Sequence, residues 1–485
     1  MEFVAGLIKV LSPEYLLYAT VGCLLGTLVG VLPGVGAATA VALLFPFTSY
    51  LPPDGMIIAL AAIYYGAQYG GSTSAILMNV PGEVASMVTA LDGHVLTKQG
   101  RAGPALAMAA IASFIAGITG AILISLVGPT IARLALSFGP AEYLGLGIFS
   151  LVAIASMSGQ SLIKGIIVAL VGMILVIVGF DNASGLERMT FGQVFLLQGF
   201  HVVPMMIGLF GLGEILSTSQ APNVLATKLG RIMPTREDFR VGLPATARAT
   251  GISLVLGLLP GMMPSTGSFL CYSAERQRSK TPQKFGKGAI EGVAAAEAAN
   301  NGTAMSNMIP LLGLGVPTGP TMALLLAAFG MYGIVPGPTL FTQQADLVWA
   351  LIASFFVANI ILLILNLPLV GLWVRLSQIP YGVLAPIIIV ICLVGAYSTR
   401  NTMVDVWVCV GAGLLGWQMK IRNWPIAPLV LAYVLGPMIE LSARQVFSVS
   451  PLILFERWIF WAFMAMLVGV IVLARRSKVA ADTVD

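Results

Sequence analysis

Small oxygen-bearing side chains gather beside glycines at two places in this chain. The first runs Tyr69-Gly70-Gly71-Ser72-Thr73-Ser74 and on to Asn79-Val80-Pro81-Gly82; the second runs Asn300-Asn301-Gly302-Thr303-Ala304-Met305-Ser306-Asn307. Hydroxyl and amide oxygens, together with carbonyls freed where a helix breaks, can hold Na⁺. The N–H groups at the start of a broken helix favour a carboxylate or phosphate. Neither stretch contains Lys or Arg, so an anion there would be held by dipoles and hydrogen bonds. Close helix packing is the competing use of such residues. The candidate substrate- or cation-binding residues are Gly71, Ser72, Thr73, Ser74, Asn79, Asn300, Asn301, Gly302, Thr303, Ser306 and Asn307.

Acids are scarce, so each one in an apolar stretch is informative. Glu291 and Glu297, six positions apart just before Asn300, are candidates to carry a coupling proton or cation; Glu83 and Glu214 read as interfacial helix ends. His94 and His201 stand alone, and the four cysteines are scattered through apolar segments, so a metal centre and a Ser/His/Asp hydrolase are unsupported. The expectation is a protein that is not an enzyme, with no cofactor and Na⁺ or H⁺ as coupling ion. Phosphate-binding glycine motifs are absent, which argues against ATP.

Ahead of each polar stretch lies a Leu-Pro-Gly element, at Leu32-Pro33-Gly34 and Leu259-Pro260-Gly261. Helix breakers inside a bilayer are tolerated only where the freed backbone lines a cavity or packs on protein. Paired breaks in two halves point to the central site of a secondary transporter. Pro33 and Pro260 are 227 positions apart, and Gly71 and Gly302 are 231 apart. The reading places Pro33, Gly34, Gly36, Pro260, Gly261, Ser265 and Thr266 at hairpin tips.

The rest of the chain must hold these elements in a membrane. Of 485 residues 58% are hydrophobic and 9% charged, with a mean hydropathy of +0.95; too little polar material is present to coat a soluble domain of this size. Helical rather than alternating periodicity argues against an outer-membrane barrel. The first twelve residues do not resemble a cleavable signal and are expected to lie along the interface. The net charge of +5 belongs to the topology rather than to nucleic-acid binding.

Ten of the 25 Lys and Arg residues fall in two clusters, Lys228, Arg231, Arg236, Arg240 and Arg248, then Arg276, Arg278, Lys280, Lys284 and Lys287. Both belong inside by the positive-inside rule, so 249–274 between them must turn back within the membrane as a re-entrant hairpin. In the first half the loops after the Leu-Pro-Gly and Gly-Ser-Thr elements carry Asp54 and then Lys98 with Arg101; in the second half the order of charge is reversed. That inversion is the mark of an inverted-topology repeat. Outer loops then hold Glu142, Asp181, Arg188, Arg400 and Glu440; inner ones hold Lys164, Lys420 with Arg422, and the basic tail near Arg475. The expected fold is an all-α polytopic membrane protein of about eleven crossings plus two hairpins, on the ~20-residue rule, with the C-terminus inside. Its first repeat is 1–227 (hairpin 15–51, broken helix 56–82, further helices 104–217). Its second is 228–485 (hairpin 249–274, broken helix 288–319, further helices 347–474).

Gly30-Val31-Leu32-Pro33-Gly34, Tyr65-Gly66-Ala67-Gln68-Tyr69-Gly70-Gly71-Ser72-Thr73-Ser74-Ala75-Ile76-Leu77, Asn79-Val80-Pro81-Gly82, Leu91-Asp92-Gly93-His94, Leu258-Leu259-Pro260-Gly261 and Asn300-Asn301-Gly302-Thr303 resemble the large membrane subunit of the tripartite tricarboxylate transporter family. His94-Val95 stands where that resemblance leads one to expect Tyr-Pro. The resemblance implies a bacterial inner-membrane secondary transporter that imports small carboxylates on a cation gradient by an elevator-like motion. It also implies two partners, a small membrane subunit and a periplasmic solute-binding protein that delivers substrate. A stand-alone carboxylate symporter and an anion channel are the alternatives.

Overall fold

A computed structural model describes residues 2–32, 34–157, 161–181, 184–217, 230–376, 379 and 381–482, with the side chains of 374, 381 and 472–482 outside that description. Pro33 and Lys228 therefore lie outside the described residues. Among the described residues the regular elements are helices apart from one antiparallel pair, Gly179–Asp181 with Leu186–Arg188, in which Gly179 faces Arg188. Among the described residues six helices are long and apolar enough to cross a membrane: Pro13–Val31, Ala102–Ala135, Pro140–Met157, Ala345–Asn366, Gly382–Arg400 and Ala427–Val449. Five shorter apolar helices accompany them. This is a multi-pass helical membrane protein.

Two helices with little access to the surface form its centre. Pro53–Met78 is buried at every position from Gly55 to Met78, and Ile290–Ser306 at every position except Glu291. Each lies beside a pair of helices joined by a tight turn. Pro13–Val31 and Gly36–Thr48 form the first pair; Arg236–Leu256 and Pro264–Arg278 form the second. Proline opens several of these helices, at Pro13, Pro53 and Pro264, where its missing N–H is not needed.

Glycine spacing explains how the first pair seats. Gly22, Gly26 and Gly30 recur every four residues, and a Cβ on any of them would run into the backbone of Ala59, Ile63 or Ala67. In return, Gly66 and Gly70 leave room for the backbone around Cys23 and Thr27. The two helices therefore approach backbone to backbone, with packing taking the place of a hydrophobic driving force that lipid cannot supply.

The structure shifts two features from their expected places. The second tip spans Gly257–Met263, and Ser265 and Thr266 fall in the first turn of the Pro264–Arg278 helix, because Pro264 is a better helix start than a turn residue. The Gly-Ser-Thr run does not interrupt its helix either. Pro53–Met78 is continuous and ends at Asn79, in left-handed conformation at φ 56°. Its counterpart runs through Asn300–Thr303, bends at Asn307, and continues as Met308–Leu314 to a left-handed Gly315 at φ 70°.

Ion pairs join several of the polar loops. Arg188 and Arg444 both meet Glu440, at 2.5 and 2.6 Å, and Arg457 lies 3.7 Å from Glu142. At the other end Arg101 pairs with Asp238 and Lys420 with Glu214. The Glu2–Val10 helix joins the Asp54 end through a Lys9–Asp54 ion pair and packs Phe3 edge-on against Trp349 and Phe356.

Candidate functional site

Glu297 sits near the middle of the buried Ile290–Ser306 helix with 1% of its surface exposed. Three other helices point hydroxyls at its carboxylate. Ser72 donates to Oε2 at 2.6 Å, Ser113 of the Ala102–Ala135 helix donates to the same atom at 3.3 Å, and Thr89 of Ser86–Lys98 donates to Oε1. One turn further on, Asn301 donates to Ser113 at 2.7 Å and to the Glu297 carbonyl at 3.3 Å. No Lys or Arg pairs with Glu297 among the described residues. Hydrogen bonds meet part of the demand of a buried carboxylate, and no basic side chain among the described residues adds a counter-charge.

Glu83 makes a second acidic centre close by. It follows a helix end as expected, but its side chain turns inward rather than to an interface. The Gln68 amide, oriented to satisfy both its ends, donates to Glu83 and to Asn300 Oδ1 at 3.0 Å while accepting from Tyr64. The Ala37 N–H, in the first turn of Gly36–Thr48, and the Asn300 amide also face Glu83. The protein's own carboxylate thus occupies the start of a hairpin helix, where partial positive charge favours an anion.

Backbone bonds stitch the loop after Pro53–Met78 to the first tip. Gly34 N–H donates to Pro81 O at 3.1 Å, Gly36 N–H to Gly82 O at 2.7 Å, and Gly82 N–H to Gly71 O at 3.2 Å. Gly82 has no room for a side chain, since a Cβ would lie 2.6 Å from Gly71 Cα. The second tip is held by a side chain. Suitably oriented, the Asn307 amide donates to the carbonyls of Gly257 at 2.9 Å and Met262 at 3.2 Å and accepts from Thr318 at 3.1 Å. Thr303 lies one turn before Asn307 on the same face, fully buried, and its hydroxyl has no partner.

The structure therefore brings Ser72, Asn300, Asn301 and Glu297 into one buried seam, with Thr73 on its edge and Gly71 shaping the loop beside Glu83. Gly302 makes room for Ser253. Thr303, Asn307, Gly261 and Pro260 belong to the second tip. Ser74 and Ser306 spend their hydroxyls on their own helices, through Gly71 O at 3.2 Å and Gly302 O at 2.9 Å. Asn79 is an exposed cap, and Ser265 and Thr266 are half-buried at a helix start. Glu291 is half-buried on another face of its helix, since six residues at about 100° each turn it roughly 240° from Glu297.

Sequence reasoning missed Gln68, Thr89, Ser113 and Asn366, each polar within an apolar run and unremarkable without its neighbours. It also left Asp92 without a role. Asp92 is fully buried; its Oδ1 accepts from the N–H groups of Gly286, Gly288 and Ala289, each at 2.8 Å, and its Oδ2 from the Tyr272 hydroxyl at 2.8 Å. That clamp fixes the turn from which the Glu297 helix starts. His94 lies 3.3 Å from Ile76 O, which also accepts from Thr97 at 2.8 Å, so it braces the end of Pro53–Met78.

A sequence model described as the tripartite tricarboxylate transporter TctA family matches residues 16–431. An uncharacterized 52.8 kDa protein of the TAR-I ttuC' 3' region of Agrobacterium vitis is 44% identical over 443 residues, covering 91% of this chain and 88% of the relative. An uncharacterized protein of the TAR-II ttuC' 3' region of the same organism is 46% identical over 196 residues, 40% of this chain and 81% of that relative. No solved structure matches.

Proposed function

This chain belongs to the tripartite tricarboxylate transporter TctA family, and from that premise we propose that it carries small tri- or dicarboxylates into the cell on a cation gradient. One observation carries the reading of coupled transport. Two buried helices, one from each half, meet at a seam of hydroxyls and amides that contains two acids, Glu83 and Glu297, and no Lys or Arg partner for either among the described residues. A substrate carboxylate about 5 Å from one ionised acid would be repelled by roughly 3 kcal/mol at an effective dielectric of about 20. An anion can rest there only with a cation or proton beside it. Symport then follows from charge balance.

The order of elements supports an inverted repeat. Each half runs helix, tip, helix, then a buried helix that ends in a left-handed residue followed by Val-Pro, Asn79-Val80-Pro81 in one and Gly315-Val316-Pro317 in the other. Pro53–Met78 packs on Ala345–Asn366 of the other half, and Ile290–Ser306 on Ala102–Ala135. Rocking or sliding of a core built from these units against the remaining helices is the elevator-like motion we propose. The family supports a small membrane subunit and a periplasmic solute-binding protein as partners; a bacterial inner membrane with the C-terminus in the cytoplasm is the setting we propose, the side of the C-terminus from the basic loops and tail.

Uptake into proteoliposomes that contain this chain and its partner subunits tests the proposal, with imposed Na⁺ or pH gradients and a panel of loaded carboxylates. Gradient-dependent uptake that falls in Ser72→Ala and Asn301→Ala is the expected result. Uptake unchanged in both variants would remove the seam from the transport path.

A further inference from the structure

We infer that the small cavity between Pro53–Met78, Ala102–Ala135, Glu297 and Asn366 is a binding site for one small monovalent cation of sodium's size. The inference rests on the transporter reading and names an ion and its ligands.

Tyr69, Ser72, Thr73, Ser113, Glu297 and Asn366 line the cavity together with Leu106, Ala109 and Ala110. Its volume of about 10 Å³ suits a single water or a bare ion. Every polar group named on its wall is an oxygen or carries one, the donor set that hard cations prefer. Asn366 supplies the second, independent observation. It is 5% exposed, its amide nitrogen is engaged by Leu362 O at 2.9 Å, and its Oδ1 has no partner. Asn301 Oδ1, whose nitrogen bonds the cavity-lining Ser113, is likewise buried without a partner. Two buried amide oxygens lack donors, and one carboxylate lacks a counter-charge among the described residues.

Charge selects the ion. One carboxylate neutralises a monovalent cation, whereas a divalent ion would leave net positive charge in a low-dielectric interior. Ser72 and Ser113 direct their protons at Glu297; Ser113 also accepts from Asn301, which leaves it one lone pair for the ion, and a Ser72 lone pair is available beside it. The ligands come from both halves of the chain, so occupancy would tie the halves together before substrate arrives.

The test uses the full chain purified in detergent, with no substrate or partner. Its thermal midpoint is followed while NaCl replaces choline chloride at constant ionic strength, because a ligand that binds the native state raises stability by mass action. We expect a saturable rise in wild type, with apparent affinity at least about tenfold weaker in Asn366→Leu and in Ser113→Ala. A wild-type midpoint identical in the two salts, or a sodium response unchanged in both variants, would overturn the site. Asn366→Leu could unfold for lack of its Leu362 bond, and Ser113→Ala keeps the test open in that event. Sodium binding without carboxylate uptake in proteoliposomes would sink the transport reading and spare the site. Proton-driven uptake with no sodium response would do the reverse.

Discussion

Removing the Asp92 carboxylate should loosen the turn that launches the Glu297 helix, by an amount the structure lets us work out. Its Oδ1 gathers three backbone N–H groups at 2.8 Å, of which that of Ala289 is buried and those of Gly286 and Gly288 are partly so. In Asp92→Ala the buried amide loses its only acceptor, at about 2 kcal/mol, and the other two regain water at about 1 kcal/mol each. The total, about 4 kcal/mol, corresponds to a fall of about 4 °C in thermal midpoint for a chain of 485 residues, whose unfolding entropy is about 1 kcal/mol per kelvin. Asp92→Asn keeps the acceptor oxygen and loses only the charge, which is worth about 1–2 kcal/mol. Tyr272→Phe removes one bond and should cost about 1 kcal/mol. Thermal unfolding in detergent would rank the three. Limited trypsin digestion gives a local readout, because Lys280, Lys284 and Lys287 lie in or beside the clamped turn. Cleavage there should quicken in Asp92→Ala well before global unfolding. A midpoint within 1–2 °C of wild type, with unchanged cleavage at these lysines, would refute the clamp.

Glu297→Gln can still accept from Ser72 and Ser113 while its nitrogen donates to Thr89, so the fold should hold while gradient-driven uptake drops at least about tenfold. Glu297→Ala instead strands three hydroxyls at about 1 kcal/mol each, which should lower the thermal midpoint visibly. Gly82→Ala forces a Cβ against Gly71 Cα and should destabilise by about 1–3 kcal/mol, whereas a midpoint equal to wild type would mean the loop can move away. Burial alone would raise the Asp238 carboxyl, but the hydrogen bonds from Arg101 and Thr235 outweigh it and hold it below the ordinary range. A depressed acid contributes stability above its unfolded value, near 4, that is lost as pH falls through the lower folded value. Arg101→Gln should therefore reduce stability at neutral pH and flatten its decline in acid, as read from midpoints at pH 7 and below 4.

Much of this could be read along the chain. Composition alone requires a membrane, and the Leu-Pro-Gly elements mark turns between paired helices because a freed backbone inside a bilayer must be packed. Loop charge grouped Arg101 with Lys228's cluster, and the Arg101–Asp238 ion pair agrees with that grouping; Arg188, an exception to the positive-inside rule that only the alternation of crossings set beside Glu440, pairs with that acid. The placement of the breaks was harder to read. A Gly-Gly-Ser-Thr-Ser run lowers helix propensity, yet Pro53–Met78 runs straight through it, since Gly70 lets it pack on the backbone of Pro13–Val31 and Gly71 leaves room for Glu83.

Residue type and local spacing decided which oxygens were available; they could not decide which oxygens meet. Ser72 and Glu297 are 225 positions apart, and Asp92 and Ala289 are 197 apart, so no local pattern links them. Helical phase separates Glu297 from Glu291, and that much was available from spacing. Whether Glu83 faces lipid headgroups or Asn300, and whether Asn366 at the end of its helix also walls a cavity, depends on how buried helices from the two halves seat against each other. That seating is set by backbone contact at glycines and by the need of buried polar groups for partners, and both are properties of the packed chain.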